Sequence, residues 1–333
     1  MGTSFNIPDY ELVIEIARGS YGQVWLARNV LGSWRAVKIV QRSLFEDSRP
    51  YQREFNGIRH YEALSRGHDG LIDVLHVGRN EGEGYFYYVM ELADDQIVGQ
   101  RIQTADYTPR TLQSEMNARG PLPAKECIDL GAQLADALDY LHQENLVHRD
   151  IKPSNIVFVN GQPKLADIGL VAGSGMSSFS TGTLGFLPSE GTGGRAADVY
   201  ALGKVLYEIS TGKDRTAFPD LPASARGLSG REKLMQLNTL LLRACASDYG
   251  ERFESAGSFA GSLRRLNAPS AFAGPFSWRE RRLIAIAAAL AALLVLSDAL
   301  LIYLGTRQPI EQTITSTLPA AEMPLQGKYD SGD

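Results

Sequence analysis

Val147-His148-Arg149-Asp150-Ile151-Lys152-Pro153-Ser154-Asn155, followed by Lys164-Leu165-Ala166-Asp167-Ile168-Gly169, is the stretch from which the rest of the chain can be read. It sets out an acid, a lysine two residues later, an asparagine three beyond that, and then a second acid. One carboxylate of such a set can orient a hydroxyl nucleophile, and the lysine can neutralise a moving phosphate. The amide and the second carboxylate can together hold Mg²⁺. These residue types at this spacing form an apparatus for phosphoryl transfer. His148 reads more plainly, as a satisfied core histidine that packs and does not react.

Upstream, the first ninety residues read as strands with one helix. Residues 12–18, 24–29, 34–40, 74–78 and 85–91 are rich in Val, Ile, Trp and Tyr, with Gly or charged turns between them. A helix is expected over 51–64, which is good in helix formers apart from Gly57. After Ala93 the balance shifts towards helix. Residues 123–143 carry Cys127, Ile128, Leu130, Leu134, Ala137, Leu138 and Leu141 at three- and four-residue spacing. A small hairpin, 156–159 with 164–166, turns through Asn160-Gly161. Further helices are expected over 198–211, 231–246 and 255–266, with a loop over 217–229 and a Pro/Ala/Gly linker over 267–277.

The 333 residues exceed one average domain, so one two-lobed unit with extra segments is expected. A formal net charge of −5 leaves no basic surplus for nucleic acid. The two cysteines, Cys127 and Cys245, fall in helical segments and read as buried thiols of a reducing compartment. The first residues contain no apolar signal-peptide core, and Asn6 stands where a myristoylation site wants Ser or Thr.

Residues 283–304 differ from all of this, being 22 residues with a single charge, Asp298. At helical rise they cover roughly 33 Å, enough for a hydrocarbon core of about 30 Å. Arg279, Arg281 and Arg282 precede the run and only Arg307 closely follows, which keeps the N-terminal bulk in the cytoplasm. Trp278 and Tyr303 sit at the two ends, where interfacial aromatics belong. Asp298, near the outer end, reads as a tolerated interfacial charge, with a polar contact to a partner helix as the alternative. Residues 305–333 are too short for a folded sensor domain, and their composition suggests disorder.

The catalytic stretch resembles the H-R-D-x-x-x-x-N and D-F-G pair of eukaryotic-type (Hanks-type) serine/threonine protein kinases, in their bacterial membrane-anchored form. Ala17-Arg18-Gly19-Ser20-Tyr21-Gly22-Gln23-Val24 resembles the family's glycine-rich loop, with Ala17 in place of the first glycine. Ala36-Val37-Lys38-Ile39 matches its V-A-I-K strand. The resemblance implies an α+β, two-lobed protein kinase fold with a β-rich N-lobe (1–92) and a helical C-lobe (93–266). A juxtamembrane linker (267–282), a transmembrane helix (283–304) and a short extracytoplasmic tail (305–333) would follow.

Its cofactors would be ATP and Mg²⁺. Gly19 and Gly22 would approach the phosphates, and Val24 and Ala36 would cover the adenine. Met90 would be the gatekeeper, and Glu91 and Ala93 would offer backbone groups to the base. Lys38 would hold the α/β-phosphates and pair with Glu54, with Glu62 as the rival. Asp150 would orient the substrate hydroxyl, Lys152 would meet the γ-phosphate, and Asn155 and Asp167 would bind metal. Lys152 also marks Ser/Thr rather than Tyr specificity in this family, and Ile168 replaces the usual Phe.

Gly182 to Glu190 resembles the peptide-binding end of an activation segment. The hydroxyls between Ser174 and Thr181 are candidates for autophosphorylation, their phosphate pairing with Arg149. Glu190 would pair with Arg252, and Asp198 would brace the catalytic loop. The expected partners are protein substrates, the membrane through 283–304 and a second copy of the chain. A pseudokinase scaffold without turnover is the first alternative, and a small-molecule phosphotransferase the second.

Overall fold

The computed structural model describes residues 5–19, 22–167, 185–188, 194–222 and 228–268, together with scattered positions between 282 and 301. The chain divides into two units, 1–268 and 269–333.

Five antiparallel strands open the first unit: β1 (Tyr10–Gly19), β2 (Gly22–Asn29), β3 (Trp34–Gln41), β4 (Val74–Asn80) and β5 (Tyr85–Met90). Their order in the sheet is β1-β2-β3-β5-β4. Strand periodicity of two explains how this sheet covers both its faces. Val37 and Ile39 of β3, with Tyr85, Tyr87 and Val89 of β5, join Ile7 and Ala27 in an outer cluster. Val40, Phe86 and Tyr88 face the other way, into the main core. Ala36 and Lys38 share that inner face, and the register sets Lys38 opposite Tyr88 and Ala36 opposite Met90. The segment before β1 closes the outer face: Phe5 packs edge-on against Tyr85, ring centroids 5.3 Å apart.

The helix α1 (Ser48–Ser65) starts at Asp47, whose side chain accepts from Arg49 N. Its buried residues, Tyr51, Ile58, Tyr61 and Ser65, fall on one stripe at three- and four-residue spacing. Glu54 lies on the same stripe and so turns towards the sheet.

The helical half comprises α2 (Leu112–Arg119), α3 (Ala124–Gln143), α4 (Arg195–Thr211), α5 (Leu228–Ala244) and α6 (Ala256–Asn267), with a hairpin of β6 (Ile156–Val159) and β7 (Gln162–Leu165). Asn160 and Gly161 take φ of 52° and 76°, the left-handed pair that a two-residue hairpin turn requires. α4 is buried almost all round, from Ala196 to Thr211, as befits a central helix. α2 is not among the sequence expectations. Cys127 on α3 and Cys245 just beyond α5 are buried and free, as expected.

Within the first unit each expected strand and helix is present, with ends shifted by a few residues. In the second unit the described positions, from 282 to 301, are helical. Among the described residues no helix is long and apolar enough to cross a membrane. The expected span over 283–304 therefore lies largely outside what the structure describes.

Candidate active site

Between the sheet and the helical half lies an open cleft walled by both. Ile16, Ala17, Val24, Ala36 and Met90 give it apolar walls, Val157 and Ala166 line its other side, and Glu91 to Ala93 form one edge. Lys38, Asn155 and Asp167 bring polar groups to it.

Lys38 comes from the central strand, where alternation aims it into the cleft. Burial opposes its charge, but the carboxylate of Asp167 beside it wins and holds the ammonium above the ordinary lysine range. The two side chains form an ion pair and hydrogen bond. In turn, Lys38 keeps the Asp167 carboxyl below its usual range, against the cost of burial. Asp167 itself sits at φ 60°, a strained conformation for a non-glycine residue.

Glu54 is half-buried and feels Lys38 and Asp167 from opposite sides of the balance. Burial pushes its carboxyl up to about 7, Lys38 pulls it down, and Asp167 pushes it up further. The expected Lys38–Glu54 ion pair is not formed here, because Asp167 takes the ammonium. Glu62, the rival, faces away and bridges to Arg66 at 3.2 Å.

The catalytic loop is fastened from below. Asp198, in the first turn of α4, is 1% exposed and accepts three contacts. His148 N donates to its Oδ2 at 2.8 Å, Arg149 N donates to its Oδ1 at 2.8 Å, and His142 Nε2 lies 2.9 Å from Oδ2. Those bonds hold Arg149 at φ 70°. The expected brace is therefore present. His148 is fully buried, and burial lowers its imidazole towards the neutral form, as suits a packing residue.

Above this brace, Asp150 Oδ2 accepts from Lys152 Nζ at 2.7 Å and from Asn155 Nδ2 at 2.8 Å. Asn155 Nδ2 also donates to the Asp150 carbonyl at 2.9 Å, which leaves the amide oxygen as its ligand atom. Ala166 N donates to the Asn155 carbonyl at 2.9 Å, tying this loop to the strand that leads into Asp167. One short network thus joins Asp150, Lys152 and Asn155 and sets Asp167 alongside.

A divalent cation fits this donor set. Asn155 and Asp167 offer an amide oxygen and a carboxylate, the hard ligands that Mg²⁺ takes. Among the described residues no three His, Cys, Asp or Glu side chains cluster as a metal cage.

Of the glycine-rich loop, Ala17 and Val24 line the cleft, whereas Gly19 and Gly22 do not. A Cβ on Gly22 would lie 2.3 Å from the Ile39 carbonyl oxygen, so the sheet itself demands glycine there. A Cβ on Gly19 would lie 4.0 Å from the Gly22 carbonyl oxygen, an ordinary contact. Glu91 serves the site with more than its backbone. Its Oε2 accepts from Lys164 Nζ at 2.6 Å and from Asp73 N at 3.0 Å, clamping the interlobe segment to β7. Tyr107, Pro109 and Thr111, on a stretch with no periodic signal, also reach the cleft, and sequence reasoning missed them. Arg252 is buried, with Nε donating to the Ala246 carbonyl at 2.7 Å. Its expected partner Glu190 lies outside the described residues, as do Ile168 and Ser174 to Thr181.

Comparison with known proteins agrees with this geometry. The family model described as "Protein kinase domain" matches residues 10–246. Serine/threonine-protein kinase PknB of Mycobacterium leprae is 28% identical over 283 residues, covering 78% of this chain and 43% of the relative. Serine/threonine-protein kinase PrkC of Bacillus subtilis is 29% identical over 218 residues, covering 61% of this chain and 30% of the relative. The chain thus spans less than half the length of these relatives. The crystal structure of the Mycobacterium tuberculosis PknI kinase domain superposes with a TM-score of 0.57 at 22% identity, covering 81% of this chain and all of that one. That likeness gives the two-lobed fold, a β-sheet lobe over a helical lobe. The match over 237 of 333 residues, reached through the same motifs that build the cleft, makes this chain a member of the protein kinase domain family.

Proposed function

We propose that this chain is an ATP- and Mg²⁺-dependent serine/threonine protein kinase. The observation that carries the reading is the convergence of Lys38, Asn155 and Asp167 on one apolar-walled cleft, with Asp150 hydrogen-bonded to Asn155 beside it. Asp150 accepts the hydroxyl proton of a protein substrate, and Lys152 neutralises charge on the phosphoryl group in transit. Asn155 and Asp167 hold the metal, which when bound supplies charge neutralisation between the phosphates. Lys38 leaves Asp167 as nucleotide enters and exchanges that partner for phosphate and Glu54.

The relatives' names support Ser/Thr specificity, as does Lys152. A scaffold without turnover is the weaker reading, because Lys38, Asp150, Lys152, Asn155 and Asp167 are all present. Transfer of labelled γ-phosphate from ATP to a general acceptor protein tests it. Asp150→Asn should lower the rate at least about 100-fold, the usual contribution of a positioned base. Equal rates in wild type and variant would remove Asp150 from the chemistry.

In wild-type reactions phosphate is also expected between Ser174 and Thr181. Arg149 Nε is buried with no hydrogen-bond partner among the described residues, and Arg53 adds positive charge nearby. Such a pair suits a loop phosphate. Mass spectrometry after ATP incubation reads this directly.

Residues 283–304 form a single membrane span in this proposal, with the kinase unit on the cytoplasmic side. The length and apolarity of the run support it, as do the three arginines before it. Pairing of two chains through the span is part of the same reading.

A further inference from the structure

The buried helix α4 serves two parts of the molecule at once. Near its start Asp198 holds the catalytic loop, and roughly 15 Å further on, by helical rise, Glu208 stands near its end. Glu208 is 5% exposed, and its Oε1 accepts from Arg215 N and from Arg215 Nη1, each at 3.0 Å. Arg215 opens the short turn Arg215–Ala217, where the Asp214 side chain accepts from Thr216 N at 2.9 Å. The Arg215 carbonyl accepts from Lys204 Nζ at 3.2 Å, and that buried ammonium lies 4.5 Å from the ring centroid of Phe218. With its position fixed in this way, the guanidinium meets the chain that precedes α4. Arg215 Cζ lies 4.5 Å from the ring centroid of the buried Phe186. Gly185, at φ 89°, comes so close that a Cβ there would fall 2.7 Å from Arg215 Nε.

We propose that Arg215 is a positioning residue for the protein acceptor: through Phe186 it ties the peptide-docking stretch to the helix that also holds the catalytic loop. This deepens, and rests on, the protein kinase reading of the site. In sequence, Gly185 and Phe186 fall between Asp167, which lines the cleft, and Asp198, which holds the catalytic loop. A stretch tied at both ends to the phosphoryl-transfer groups borders the place where an acceptor hydroxyl must arrive. Arginine suits this task because its planar fork bonds a carboxylate while its face stacks on an aromatic ring. Without that contact the stretch loosens, and an acceptor must order it on binding. The cost falls on the acceptor and not on the nucleotide.

Steady-state transfer from Mg²⁺-bound ATP to dephosphorylated casein, by the full chain in detergent micelles, tests this. Casein and ATP are varied in turn for wild type, Arg215→Ala and Arg215→Lys. In Arg215→Ala the KM for casein should rise about tenfold, the yield of one cation–π contact with one charged hydrogen bond. The KM for ATP should stay unchanged. Arg215→Lys keeps a cation but loses the fork, so its KM for casein should fall between those of wild type and Arg215→Ala. An unchanged KM for casein in Arg215→Ala overturns the proposal. So do equal rises in both KM values, which a purely structural role would give. Should Arg215→Ala fail to fold, because Glu208 loses this partner while buried, the double variant Arg215→Met with Glu208→Gln decides by the same two KM values. It removes both charges and keeps their volume. No transfer by the wild type overturns the kinase reading as well. Transfer with an unmoved KM for casein overturns only the role of Arg215.

Discussion

Lys38 has two carboxylates within electrostatic reach and only one ammonium to share between them. In this structure Asp167 has it, and Glu54 is left half-buried with its carboxyl pushed up to about 7. That value lies above the ordinary 4.5, so the folded state binds more protons than the unfolded state between pH 4.5 and about 7. The stability this contributes is fully present below pH 4.5 and is lost as pH rises through about 7. Glu54→Gln should therefore match the wild type in nucleotide-free melting near pH 5 and exceed it at pH 8, by up to about 3 kcal/mol. It should also lose phosphoryl transfer, because Gln cannot receive Lys38 as an anion. Melting curves from pH 5 to 9 check this, and a difference that ignores pH would contradict it.

The sequence favoured Glu54 over Glu62 for its early place on the helix, and the structure sets Glu54 within reach of Lys38 and Asp167 while Glu62 bridges to Arg66. The competition with Asp167 was not legible, because it depends on a contact 129 residues away.

At the scale of elements, the catalytic loop owes its shape to a helix start rather than to its own residues. Asp198, itself buried, gathers the backbone N–H groups of His148 and Arg149 and the ring of His142, and holds Arg149 in the left-handed region. Asp198→Ala leaves those donors unsatisfied and releases the strain. A loss of about 3–5 kcal/mol is expected in denaturant unfolding, the range for breaking a buried charged contact. Transfer activity should fall with it, and a variant as stable as the wild type would refute the brace.

Strands and most helices were readable from period and turn signals, and the Asn160-Gly161 turn was the clearest of them. α2 was not readable. It buries only Leu112, so it lacks an apolar stripe, and its capping box pairs Thr111 with Ser114 instead of the more telling Glu or Gln. The loop carrying Tyr107 was hidden for a related reason. Its anchors are single side chains, Asp94 and Asp95, taking up scattered N–H groups, and no repeating pattern records that.

For the whole molecule, the sequence divides a cleft-bearing kinase unit from an apolar run that begins fifteen residues after Ala268. In the proposed span, Asp298 lies six residues from the end of a 22-residue run, where the penalty for a carboxylate is reduced. The full chain should stay with membranes through an alkaline carbonate wash, and a version ending at residue 282 should not. Release of the full chain by that wash would overturn the span while leaving the kinase unit untouched.

The central claim is that four side chains from β3, the catalytic loop and the strand end after β7 form one Mg²⁺–nucleotide site. A crystal structure of the chain with Mn²⁺ and a non-hydrolysable ATP analogue tests it most directly, through the anomalous signal of the metal. Metal is expected between Asn155 and Asp167, with Lys38 moved from Asp167 to the phosphates and the purine against Val24 and Ala36. Nucleotide bound elsewhere, or metal with Lys38 still paired to Asp167, would contradict the account.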